Sequence, residues 1–248
     1  MRYLIISDLH SNWEALQAVL EDAQGEYDQI LCCGDIVGYG ADPNPVVEWV
    51  RQHVKATVRG NHDRACVGLE DLEWFNPVAQ AASIWTMGQL TAENAEFIRG
   101  LPMGPVPVEN FQLIHGSPVD EDDYLVNASD ASGAFPYAES SLLFFGHTHI
   151  QGGFRWQGGE VVQTVGRLHP EWQTRYLLEI DPESAYLLNP GSVGQPRDGD
   201  PRAAYAIYDT DGEILFFHRV PYDVESAQRK IREAELPELL ALRLAVGK

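Results

Sequence analysis

Basic residues are scarce in this chain. Only 17 of its 248 residues are lysine or arginine, against 37 aspartates and glutamates, giving a formal charge of −20. That balance repels polyanions, and no lysine or arginine cluster interrupts it, so extended nucleic acid is disfavoured as a partner. Cysteine is scarcer still, with three in all. Cys32 and Cys33 are neighbours in an apolar run and Cys66 stands apart, so no even disulfide framework exists and reduced thiols are expected. Cys66 has no companion cysteine at ligand spacing and reads as a passive thiol. No apolar run is long enough to cross a membrane. The N-terminus, Met1-Arg2-Tyr3-Leu4-Ile5-Ile6-Ser7-Asp8, enters a strand at once and lacks a signal-peptide layout, so the expected location is the cytoplasm.

The first sixty residues alternate between strand and helix. Residues 2–7, 29–33 and 56–58 read as buried strands, and 12–23 and 45–53 as helices, with Asn12 as N-cap. Such alternation implies parallel pairing, with ligands collected at the carboxyl ends of the strands. Residues 64–102 read as a helical segment, with helices over 76–88 and 91–99, positioned to cap a site. From residue 111 the chain turns β-rich: 111–114 and 142–145 are short apolar runs. Further pairs flank Gly158-Gly159, Asp181-Pro182 and Thr210-Asp211-Gly212, and this spacing predicts antiparallel hairpins. Residues 223–248 return to helical periodicity. One domain over residues 1–248, with two packed sheets and outer helices, is the expected organisation.

Five short stretches follow strand-like runs: Asp8-Leu9-His10, Gly34-Asp35, Gly60-Asn61-His62-Asp63, His115-Gly116 and Gly146-His147-Thr148-His149. Positions i and i+2 of an extended chain point the same way, so Asp8 with His10, and His147 with His149, can each reach one ion together. Asp35 carries two oxygens and can bridge a pair of ions, while Asn61 offers a neutral amide oxygen. A mixed imidazole and oxygen shell suits Mn, Fe, Co, Ni or Zn better than Ca or Mg. Any one of these histidines alone would more often be a surface or capping residue. Their joint appearance at strand ends points to paired divalent metals, which activate water against phosphate esters.

These motifs resemble those of the calcineurin-like metallophosphoesterase superfamily, and most closely its small bacterial and archaeal phosphodiesterases. Gly38-Tyr39-Gly40 and the stretch from Asn189 to Arg197 are similar to that group as well. The resemblance implies an α/β fold, a four-layer α/β/β/α sandwich of two mixed sheets flanked by helices. It implies two divalent transition metals, manganese foremost, with Fe, Ni, Co or Zn as alternatives. One ion would be held by Asp8, His10, Asp35 and His149, the other by Asp35, Asn61, His115 and His147, with Asp35 as the bridge. His62 would be the catalytic residue, assisting departure of the leaving oxygen while a metal-bridging hydroxide attacks phosphorus. In place of the Asp-Arg-Gly of the superfamily's protein phosphatases and symmetrical dinucleoside-polyphosphate hydrolases stands Gly38-Tyr39-Gly40, which lowers the expectation of such substrates. Arg64 or Arg197 would supply a phosphate contact instead.

The expected activity is therefore hydrolysis of a small-molecule phosphate ester by a metal-dependent phosphodiesterase. A scaffold that keeps the fold and binds protein partners is one alternative, set against the intact donor set. A nuclease on short oligonucleotides is another. A lipid-linked phosphate under an apolar cap of Trp74, Phe75 and Trp85 is a third, although aromatics at that spacing more often belong to a core.

Overall fold

The computed structural model describes residues 1–166 and 173–248. Its strands are β1 (Arg2–Ile6), β2 (Gln29–Cys32), β3 (Ala56–Thr57), β4 (Val106–Pro107), β5 (Gln112–Leu113), β6 (Leu142–Phe144), β7 (Gly152–Gln157), β8 (Glu160–Val165), β9 (Arg175–Glu179), β10 (Ala185–Asn189), β11 (Ala203–Asp209) and β12 (Ile214–Val220). Its helices are α1 (Trp13–Asp22), α2 (Pro43–His53), α3 (Asn61–Cys66), α4 (Pro77–Gln89), α5 (Ala92–Arg99), α6 (Ala128–Ala134), α7 (Val224–Glu233) and α8 (Glu238–Leu244). One sheet runs β3-β2-β1-β11-β12-β9 and the other β4-β5-β6-β10-β7-β8. Both are mixed.

Residue alternation builds the layers. Along β1, Leu4 and Ile6 face α1 and α2 in one apolar cluster, while Tyr3 and Ile5 face the second sheet in another. Phe111, Phe144, Leu188, Tyr208 and Phe217 complete the seam between the sheets. On the outer face of the second sheet, Leu143, Phe145 and Leu187 pack with Ala131 and Ala134 of α6. Helix, sheet, sheet and helix are thus stacked in four layers, as expected. A further cluster joins α7 and α8 to α4 and to Tyr39.

Several expectations are corrected. The runs around Asp181-Pro182 are not a hairpin: β9 pairs with β12 in the first sheet, and β10 joins β6 and β7 in the second. The turn carries the chain across the sandwich, a layer change that strand length and turn chemistry do not encode. Nor is the β-rich part wholly antiparallel, because β5, β6 and β10 run parallel. The C-terminal helical segment is two helices, broken where Glu235 turns to φ 55° ahead of Pro237. Helices α3 and α6 were not expected; at six and seven residues they are too short to show a period.

Candidate metal centre

The loops that leave β1, β2, β3, β5 and β6 meet at one edge of the sandwich. Asp8 N–H donates to Gly34 O at 3.0 Å and His10 N–H to Asp35 O at 3.1 Å, which ties the first two loops together. His147 N–H donates to Asp8 Oδ1 at 3.1 Å, and His62 N–H to Asp35 Oδ1 at 3.0 Å. Asp63 fixes the start of α3 by accepting from the N–H groups of Gly60, Ile36 and Val37. Backbone here is unusual. Asp8, His10, Ser11, Asp35, Tyr39, His147 and His149 all have φ between 45° and 63°, in the left-handed region that non-glycine residues avoid. Strain of this kind persists only where surrounding structure enforces it, and it concentrates at functional sites.

The side chains converge in two groups. One oxygen or nitrogen from each of Asp8, His10, Asp35 and His149 lies within 4.8 Å of the others, and the same holds for Asp35, His115 and His147. Asp35 belongs to both: its Oδ2 is 3.6 Å from His10 Nε2 and 3.4 Å from His115 Nε2. Asn61 Oδ1, Asp8 Oδ2, Asp35 Oδ2 and His115 Nε2 are buried with no hydrogen-bond partner. Orphaned acceptors in such number are costly unless something else satisfies them.

Tautomers sharpen the point. His10 Nδ1 donates to Val37 O at 3.0 Å, His115 Nδ1 to Cys33 O at 2.7 Å, and His149 Nδ1 to Gln195 O at 2.5 Å. Each bond fixes its ring's orientation, and in neutral His10 and His149 it leaves Nε2 turned inward as a lone pair. Burial holds His10 and His149 neutral, well below the ordinary histidine range. Yet their Nε2 atoms stand 3.1 Å apart. Two facing lone pairs repel unless a cation shares them, so this donor set fits a divalent metal. His115 is different: burial opposes its charge, but Asp35 overcomes that and pushes it up to about 10.

Beside the cluster opens a cavity of about 380 Å³, lined by Asn61, His62, His147, Arg64, Arg197 and Tyr39 among others. His62 packs its ring on Tyr39 at 4.3 Å and on Phe75 at 5.2 Å. Tyr39 of the Gly38-Tyr39-Gly40 stretch thus lies directly beside the catalytic candidate. Burial holds His62 neutral, at about 4. Arg197 donates to Tyr39 Oη at 3.2 Å and to Gln195 Oε1 at 3.3 Å. Arg64 reaches the same cavity, but Glu121, Glu70 at 2.8 Å and Asp122 at 2.7 Å already match its charge. Of the aromatic cap, Trp74 and Phe75 line the cavity and Trp85 instead packs with α7 and α8. Cys66 is buried away from the donors, against Ser83 and Thr86, with burial raising its thiol pKa. Among the cavity residues that escaped sequence reading are Tyr124, whose tilted ring packs on His147 with centroids 3.9 Å apart, and Arg243 of α8. An exposed-looking tyrosine in an acidic loop and an arginine on a short helix carry no signal that separates them from ordinary surface residues.

The chain is similar to several known proteins. The family model of the calcineurin-like phosphoesterase superfamily domain matches residues 1–213. A metallophosphoesterase of Sphaerobacter thermophilus has a crystal structure that aligns with TM-score 0.86 and 44% identity, covering 100% of this chain and 99% of that one. A hypothetical protein of Pyrococcus horikoshii shares the fold with TM-score 0.78 at 20% identity, over 100% of this chain and 98% of its own. An uncharacterized protein of Methanocaldococcus jannaschii is 37% identical over 251 residues, covering 98% of this chain and 97% of the relative.

Proposed function

The chain belongs to the calcineurin-like phosphoesterase superfamily, and from that membership we propose that it is a dinuclear-metal-dependent phosphodiesterase acting on a small phosphate ester. The observation that carries the reading is the pair of inward Nε2 lone pairs on His10 and His149, 3.1 Å apart and buried. Asp8, His10, Asp35 and His149 would hold one ion; Asp35, Asn61, His115 and His147 would hold the other. The unpartnered Oδ2 of Asp35, facing both groups, supports its role as the bridge. Mixed nitrogen and oxygen donors suit Mn, Fe, Co, Ni or Zn, and the family resemblance puts Mn foremost. When bound, two such ions supply Lewis acidity toward phosphoryl oxygens and acidify a water at neutral pH. With three free cysteines and no disulfide, a reducing, cytoplasmic compartment suits the protein.

The chain's own residues do the rest. Arg197 lies beside the donor cluster, where its guanidinium grips the phosphoryl group. His62 adjoins Asn61 and supplies the proton for the leaving oxygen. Burial keeps its imidazole neutral, but a phosphoryl anion alongside raises its proton affinity, so the proton is taken up together with substrate. Tyr39 and Phe75 hold the ring against rotation. Arg64, tied to three carboxylates, contributes less to phosphate than Arg197.

The test is turnover of bis(p-nitrophenyl) phosphate and p-nitrophenyl phosphate by protein loaded in turn with Mn, Fe, Co, Ni and Zn. Faster cleavage of the diester, with two metal equivalents per chain by elemental analysis, is the expected result. No hydrolysis with any of the five metals would overturn the proposal.

A further inference from the structure

Three arginines line the cavity, and they are not equivalent. The charge of Arg64 is spent on Glu70, Glu121 and Asp122. Arg197 and Arg243 have no aspartate or glutamate partner among the described residues; the recorded acceptors of Arg197 are neutral, and that of Arg243 is an oxygen of the last residue, Lys248. Arg197 donates to Tyr39 Oη and Gln195 Oε1, reaches the Tyr124 hydroxyl, and leaves its Nε buried without a partner. Arg243 donates from Nε to the main-chain oxygen of Lys248. In a chain with 37 acidic residues, two guanidiniums in one cavity with no aspartate or glutamate partner among the described residues are conspicuous.

They are also held there. Arg197 lies over the Tyr39 ring, 5.7 Å from its centroid, and its own N–H donates to His149 O at 3.2 Å. Arg243 sits on α8, whose Leu240, Ala241 and Leu244 are buried against the same cluster as Tyr39. The segment after α8 docks on the loop that carries Arg197: Gly199 N–H donates to Gly247 O at 2.9 Å. Gly247 lies so close that a Cβ there would meet the Asp200 backbone at 2.6 Å. Burial and the charge of Arg197 both push the Arg243 guanidinium below its ordinary value. Like charges confined in this way repel, and an anion between them relieves the repulsion.

We propose that Arg197 and Arg243 form a two-guanidinium clamp for the phosphoryl anion of the substrate, with Arg243 as a specificity-determining residue delivered by the C-terminal helix. The inference rests on the phosphoesterase reading for its substrate class, but it assigns a binding group outside the metal-binding motifs. A planar guanidinium presents a fork that matches phosphate oxygens, and two forks suit a group offering several oxygens at once. Ions held by the donor cluster would face one side of the phosphoryl group, and the clamp the other.

Inorganic phosphate is the probe, titrated by calorimetry into metal-loaded protein. Arg243→Gln is expected to weaken phosphate binding by about tenfold and to raise KM for bis(p-nitrophenyl) phosphate similarly, with kcat within about threefold, as loss of uniform binding requires. Metal content and melting temperature should match the unsubstituted protein. Arg229→Gln on α7 removes the same charge from an exposed site and should change neither quantity. Unchanged phosphate affinity in Arg243→Gln would overturn the clamp, as would an equal loss in Arg229→Gln, since that marks net charge alone. If Arg243→Gln misfolds, Arg243→Lys serves: it keeps the charge without the fork and should bind phosphate more weakly than arginine, and equal affinity would again overturn the clamp. Because the titration needs no turnover, it stands whether or not the diester is cleaved. Failure of the phosphoesterase reading is thus separable from failure of the clamp.

Discussion

Asp35 concentrates the chemistry of the site in one side chain, since its Oδ1 anchors His62 N–H and its Oδ2 faces both donor groups. Asp35→Asn should therefore lose most bound metal and activity together, read by elemental analysis beside turnover. His62→Ala should keep its metal while kcat falls by about 10²- to 10⁴-fold, the usual range for loss of a proton donor. Normal turnover in that variant would remove His62 from the reaction. Gly60 tests the support beneath Asp35. A Cβ at Gly60 would stand 2.0 Å from Asp35 Oδ1, so Gly60→Ala must displace the carboxylate and should lower metal content although Gly60 itself offers no ligand side chain. The convergence of Asp8, His10, Asp35, His115, His147 and His149 was legible in the sequence because donor side chains recur there at strand ends. The left-handed backbone under Asp8, His10, Asp35, His147 and His149 was not, because nothing in the identity of an aspartate or histidine announces a positive φ. Arg243 was equally silent, since its meaning depends on where α8 docks.

At the scale of elements, β1, β2, α1 and α2 could be read from periodicity, because each buries one face against the first sheet. Partner choice could not: β9 and β10 look like a hairpin locally, and only the demand for a middle strand in the second sheet separates them. β12 carries a test of its own. His218 stacks on Tyr205 of β11 at 4.7 Å, its Nε2 is buried without a partner, and Arg175 of β9 is close by. Burial, aided by Arg175, lowers its pKa from 6.5 to about 4. Between these values the unfolded chain binds the proton that the folded protein refuses, so stability is present above pH 6.5 and drains away as pH falls toward 4. From pH 7 to 5 this one residue should cost on the order of 1 kcal/mol of stability. His218→Phe, which keeps the stacked ring, should show a smaller drop in melting temperature over that interval. An unchanged drop would show that His218 does not titrate in this way.

For the whole molecule, a charge of −20 surrounds a cavity lined by three arginines. An anionic ester approaches against the long-range field and is drawn in only at close range. Exposed charges are screened before buried ones, so raising ionic strength from ~0.01 to ~0.15 M should increase kcat/KM for an anionic ester, opposite to the behaviour of a steered enzyme. A steep decrease, measured by initial rates, would show that local attraction governs the encounter. The sandwich also has a temporal side. β10 lies between β6 and β7, and β11 between β1 and β12, so both sheets receive an interior strand from the last third of the chain. The loop between them supplies Ser192, which donates to Asp8 O, and Gln195, which fixes His149. A nascent polypeptide that has already released Asp8, His10 and Asp35 from the ribosome must wait until residues near 209 have emerged before those side chains find their final neighbours. Messages truncated before β10 should thus yield products that capture no ions and are cleared by proteases.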